Sequence, residues 1–134
     1  MMIRNLLVGL PVILLCMALQ VAFAFWSVRY FVRQTLGATA ASGTLYGLRP
    51  LLVVMLVMML GTILQIATWG ILFVVLGEFD ELYEAVYHSA VNFASLGYVD
   101  IVMSKNRKLL GPLEAINGVL MLGMSAAALM VILQ

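Results

Sequence analysis

Charge is scarce in this sequence. Of 134 residues only seven are basic and six acidic, against a hydrophobic share of 65%, whereas a soluble domain ordinarily carries about 25% charged residues. Long stretches hold no ionisable group, so they can lie in hydrocarbon without the cost of burying charge. A mean hydropathy of +1.14 points the same way: lipid is the expected solvent. Cysteine is nearly absent, and Cys16 alone excludes an intrachain disulfide or a CxxC redox or metal site. In its apolar run Cys16 reads as a packing or lipid-facing residue. The single histidine, His88, has no second His or Cys near it, which excludes a zinc site within one chain. No nucleophile can be paired with a base, so the chain is not expected to be an enzyme, and no cofactor is expected. A net charge of +1 with no basic cluster leaves no electrostatic footprint for nucleic acid. There is no internal repeat.

What remains is a set of long apolar runs. Leu6 to Trp26 is apolar apart from Gln20, and about 20 helical residues cross the roughly 30 Å hydrocarbon core. With its flanks this gives a first transmembrane helix over 1–33, with Pro11 in its second turn. Trp26 and Tyr30 stand where interfacial aromatics are expected, and Arg29 and Arg33 follow at i, i+4 as snorkelling anchors. Arg4, the apolar run and Ala22-Phe23-Ala24 also fit a secretory signal; we read the segment as a retained helix with signal-anchor character. Residues 34–49, with Gly37, Gly43 and Gly47 among Thr, Ser and Ala, read as a connecting loop, and a helix is expected to start at Pro50. A second span over 50–77 carries Thr62, Gln65 and Thr68 as its polar positions and ends at Gly77. Gln65 reads as a hydrogen-bonding contact between helices.

The chain changes character at Glu78. Acids crowd Glu78, Asp80, Glu81 and Glu84, then Tyr83, Val86, Tyr87, Ala90, Val91 and Ala94 recur at helical spacing. This predicts an amphipathic helix over 79–94, with acids at its positive dipole end, that is too short to span. After the polar Lys105, Arg107 and Lys108 a third span runs over 109–133 with Glu114, Asn117 and Ser125 within it. The fold class expected is therefore an all-α membrane protein with three transmembrane helices and a re-entrant helix and loop between the second and third. Arg29, Arg33 and Arg49 lie between the first two spans with no acid among them, which places that connection and the C-terminus in the cytoplasm.

A short helix, a Gly-Tyr element and then an acid, set between two spans, resembles the pore region of the potassium-channel superfamily. The residues are Tyr87-His88-Ser89-Ala90-Val91-Asn92-Phe93-Ala94-Ser95-Leu96-Gly97-Tyr98-Val99-Asp100-Ile101. By that resemblance Ser95, Leu96, Gly97, Tyr98 and Val99 stand at the selectivity filter over 95–100 and Asp100 at the outer mouth. Leu109 to Gly118 is similar to the inner-helix start of small bacterial members with three helices, and the likeness covers residues 50–134. It implies a bacterial inner-membrane protein, lipid-embedded, in which four chains ring backbone carbonyls around a dehydrated K⁺ or other monovalent cation. Those transient ions are the only metals expected. One pore segment per chain implies a homotetramer, or assembly with related subunits. Val99 departs from the pattern, because the family has a second glycine there in a left-handed conformation. A β-branched residue in that region costs roughly 1 to 2 kcal/mol, so an altered outer ion site is expected.

Other residues leave alternatives open. Asn117, Met121 and Ser125 share a helical stripe that either lines a cavity or packs between helices, and Gly118 and Gly123 are either hinges or close-packing positions. Glu114 is expected to pair with Lys105, Arg107 or Lys108 or with the short helix, and His88 to pack behind the filter. With the chain ending at Gln134, directly after its last span, gating is expected to come from the filter, the membrane or a partner. Two readings follow: a pore-forming subunit, or a non-conducting, channel-like accessory subunit of a larger membrane complex.

Overall fold

The computed structural model describes residues 1–36, 45–97 and 103–134. Tyr98, Val99 and Asp100 lie outside them, as does most of the connection between the first two spans. Four helices make up the described residues: α1 Met2–Leu36, α2 Leu45–Val75, α3 Leu82–Phe93 and α4 Leu110–Leu133, with no strand among them. Three are long and apolar enough to cross a membrane. At 1.5 Å per residue α1 is about 52 Å long, well beyond the roughly 30 Å hydrocarbon core, while α3 at about 18 Å is far short of it.

The helix ends differ from the sequence expectation. α1 continues to Leu36, carrying Arg29 and Arg33 on a helical scaffold, and α2 begins at Leu45 with Pro50 already inside it. Pro50 is the sixth residue of α2, past the four donors that lack intrahelical partners, so it removes one hydrogen bond of the first turns, a local cost that the long apolar span outweighs. α2 ends where Gly77 was expected to end it. Gly77 takes φ +73, its N–H donates to the Val74 carbonyl at 2.9 Å, and the Glu78 N–H reaches back to Phe73 at 3.0 Å, the paired bonds of a Schellman cap.

α1 and α4 run parallel, and α2 runs against both. At one end the Asn5 side chain donates to the Asn106 carbonyl at 2.9 Å, just before α4 begins. At the other, Val54 and Met58 of α2 pack with Ala128 and Ile132 of α4 and with Ala24, Val28 and Phe31 of α1. α2 and α4 touch each other far less than each touches α1. The stripe Asn5, Gly9, Ile13, Cys16, Gln20 and Ser27 of α1, spaced at threes and fours, is what fills the groove between them. Leu7, Leu14, Leu56 and Leu122 are more than half exposed on the outside of the bundle, as a lipid-covered surface requires.

Between the two apolar clusters lies a polar layer. Gln65 of α2 donates to Gln20 Oε1 at 2.8 Å, and Gln20 Nε2 donates to Ser125 Oγ of α4 at 2.7 Å, so three spanning helices are joined by one chain of hydrogen bonds. Both glutamines are fully buried. In hydrocarbon an unpaired amide costs several kcal/mol, so these polar groups hold the helices in one rotational register.

Candidate functional site

The short helix α3 is built into the bundle by polar groups and by the absence of side chains. Ser89 donates to the Ile66 carbonyl of α2 at 2.8 Å and also hydrogen-bonds Glu114 of α4. Asn92 Nδ2 donates to the other Glu114 oxygen at 3.3 Å. Glu114 is fully buried and has no ion pair among the described residues, so of its two expected pairings the structure has the one with the short helix. Two glycines let α3 approach its neighbours: a Cβ at Gly70 would meet the Val86 backbone at 3.0 Å, and one at Gly118 would overlap the Phe93 carbonyl. His88 is buried with ring centroids 5.7 Å from Phe73 and 5.0 Å from Phe79.

The buried face of α3 shares only Val91 with the apolar stripe of the sequence pattern. Ala85, His88, Ser89, Val91 and Phe93 turn inward, while Tyr83 and Tyr87 remain exposed. Hydrogen bonding to Glu114 and Ile66 decides the orientation, and it leaves an apolar surface on the outside of the single chain.

Ile66 lies nine residues before the end of α2, so Ser89 sits about 14 Å down the bundle from that end. α3 stops at Phe93, against Gly118. The Ser95 N–H donates to Asn92 O at 2.9 Å and the Leu96 N–H to Val91 O at 3.1 Å, a second Schellman cap with Ser95 at φ +57 in the glycine position. Gly97 is left-handed as well at φ +65, whereas Leu96 between them is not. Ser95, Leu96 and Gly97 are exposed, and Ala94 and Ser95 open onto a cleft of about 500 Å³. Thr62 and Ile66 of α2 and Gly118, Val119 and Leu122 of α4 are among its other walls.

Of the inner-helix candidates, Ser125 lines this cleft and also accepts from Gln20. Asn117 and Met121 are buried instead, Met121 in the apolar core and Asn117 against the Cys16 thiol of α1. Gly123 has open space where a Cβ would stand. Val119 and Leu122 were not singled out from the sequence, and Thr62 only as a polar position of its span, because an apolar or lone hydroxyl residue in a span carries no local mark of the face it occupies.

Beyond Gly97 the chain is described again at Met103, back at the end from which α3 started. Ser104 donates to both Glu78 oxygens, from its N–H at 2.8 Å and from its hydroxyl at 2.7 Å, and Arg107 pairs with Glu78 at 3.7 Å while hydrogen-bonding the Leu76 carbonyl. Glu78 thereby clamps the segment that precedes α4 to the end of α2.

Three membrane-length helices, with a short one lodged between two of them, define a helical integral membrane protein. Residues 52–134 match the model of a family described as ion channel, a potassium-channel pore family, and the chain belongs to that family. No curated protein and no solved structure matches the chain. α1 lies outside the matched residues, although it supplies much of the packing of α4.

Proposed function

We propose that four copies of this chain form a channel that passes K⁺ or mixed monovalent cations down their gradient, through a filter made by the backbone of Ser95, Leu96, Gly97, Tyr98 and Val99. The observation that carries the reading is the end of α3. It stops about 12 Å inside the bundle, against Gly118, aims its negative dipole end at a cleft between α2 and α4, and gives way to residues of alternating handedness. Alternation of that kind turns successive N–H groups to one side and successive carbonyls to the other, which is what a cation shedding its hydration needs. The segment enters and leaves at one end of the bundle, as a re-entrant loop does. Backbone of this kind at membrane depth requires a protein or water-filled surrounding, and the exposed Tyr83 and Tyr87 are surface for a neighbouring copy. No resident cofactor is needed. The acid-free arginines Arg29, Arg33 and Arg49 favour a cytoplasmic connection between α1 and α2, and with it a cytoplasmic C-terminus.

Val99 favours a second reading, a channel-like subunit that no longer conducts and serves a larger membrane complex. Rubidium uptake into vesicles reconstituted with the full chain separates the two. Uptake by the native protein, raised in selectivity over sodium by Val99→Gly, is the expected result. No flux from either protein would favour the accessory role.

A further inference from the structure

We propose that the C-terminal third of α1 carries a binding site for the headgroup phosphate of an anionic membrane lipid, held by Arg29 and Arg33. Phe25, Trp26, Arg29, Tyr30 and Arg33 fall on one face of the helix and bound a cleft of about 390 Å³. Trp26 and Phe25 are 74% and 60% exposed, while the opposite face buries Gln20 and Ser27. Both arginines are exposed and neither has an ion pair among the described residues; the ion pair there joins Arg107 to Glu78 at the other end of the bundle. Their surroundings reinforce the positive charge. All six acidic residues lie between Glu78 and Glu114, so the end where α1 finishes and α2 begins holds Arg29, Arg33 and Arg49 with no acid.

The spacing suits a bilayer surface. Arg29 stands about 5 Å and Arg33 about 10 Å along the axis beyond Trp26. The headgroup layer on each side of the hydrocarbon is about 5 to 8 Å thick. With Phe25 and Trp26 at the hydrocarbon boundary, where aromatic side chains concentrate, the two guanidinium groups reach phosphate level. Guanidinium forks bind phosphate oxygens in pairs. A zwitterionic lipid presents a phosphate already balanced by its own cation, so a net anionic lipid is the favoured occupant, by roughly 30-fold for two arginines.

The chain contains two tryptophans, and the other, Trp69, is fully buried, so Trp26 reports on the site. Full-length protein is reconstituted in phosphatidylcholine vesicles containing a small, equal mole fraction of brominated phosphatidylglycerol or brominated phosphatidylcholine, and tryptophan quenching is compared. Several-fold stronger quenching by the anionic lipid is expected, lost in Arg29→Gln/Arg33→Gln and in about 1 M salt, where the screening length is about 3 Å. Lys105→Gln/Lys108→Gln, with the same change in net charge at the other end, keeps the preference, and millimolar inorganic phosphate leaves it in place. Equal quenching by the two lipids in the native protein overturns the proposal. So does equal loss in both double variants, which would mean a diffuse charge effect, or displacement by inorganic phosphate, which would mean a free-anion site.

Discussion

Glu114 shows how a single residue can hold a membrane fold together. Its carboxyl lies fully buried near the start of α4, with Ser89 and Asn92 of α3 as its hydrogen-bonding partners. Truncation leaves the Asn92 amide without that partner and Ser89 with the Ile66 carbonyl alone, so Glu114→Ala is expected to lower the stability of the reconstituted protein by about 1 to 3 kcal/mol. Glu114→Gln offers a donor to Ser89 and an acceptor to Asn92 and is expected to cost much less. Denaturant unfolding in mild detergent measures both. At Val99 the expectation is functional. By the likeness to the family filter, the position of Val99 calls for a left-handed glycine, a conformation that would cost a β-branched residue roughly 1 to 2 kcal/mol, and Val99→Gly is expected to raise potassium over sodium selectivity in bi-ionic flux. Part of this was legible in the sequence. The partner of Glu114 was narrowed there to basic loop residues or α3 and no further, since burial is a property of three elements together.

At the scale of elements, α1 is the unexpected component. It fills the groove between α2 and α4 and joins both through Gln20, which connects Gln65 to Ser125. A double-mutant cycle on Gln20→Leu and Ser125→Ala is expected to give a coupling of about 0.6 kcal/mol, with about 1.7 kcal/mol as the upper end for such bonds in membranes. Zero coupling would mean that α1 leans on α4 through apolar contact alone. The contact of α3 with α4 depends on the absent side chain of Gly118, where a Cβ would overlap the Phe93 carbonyl. Gly118→Ala is therefore expected to cost about 1 to 3 kcal/mol, as overpacking does, and to change flux by moving the end of α3. The three spans were legible from apolar runs, and the end of α2 from Gly77. The start of α2 was not, because Pro50 mimics a helix start. Nor was the buried face of α3, where a hydrogen-bonded serine and asparagine outrank the apolar stripe.

For the whole molecule, the single chain leaves its most unusual backbone exposed. Ser95, Leu96 and Gly97 stand open beside the cleft at the end of α3, and Tyr83 and Tyr87 are more than half exposed among the described residues. In hydrocarbon, unpaired carbonyls at that depth cost several kcal/mol each, and in the proposed channel neighbouring copies around an axis would remove the cost. Periodicity along one chain cannot reveal such symmetry, and here only the likeness to potassium channels pointed to it. The direct measurement is a density map of the full chain in lipid nanodiscs. The account predicts four copies about one axis, with the carbonyls of Ser95 to Gly97 turned toward it. One or two copies, or a ring in which those residues face lipid, would contradict it.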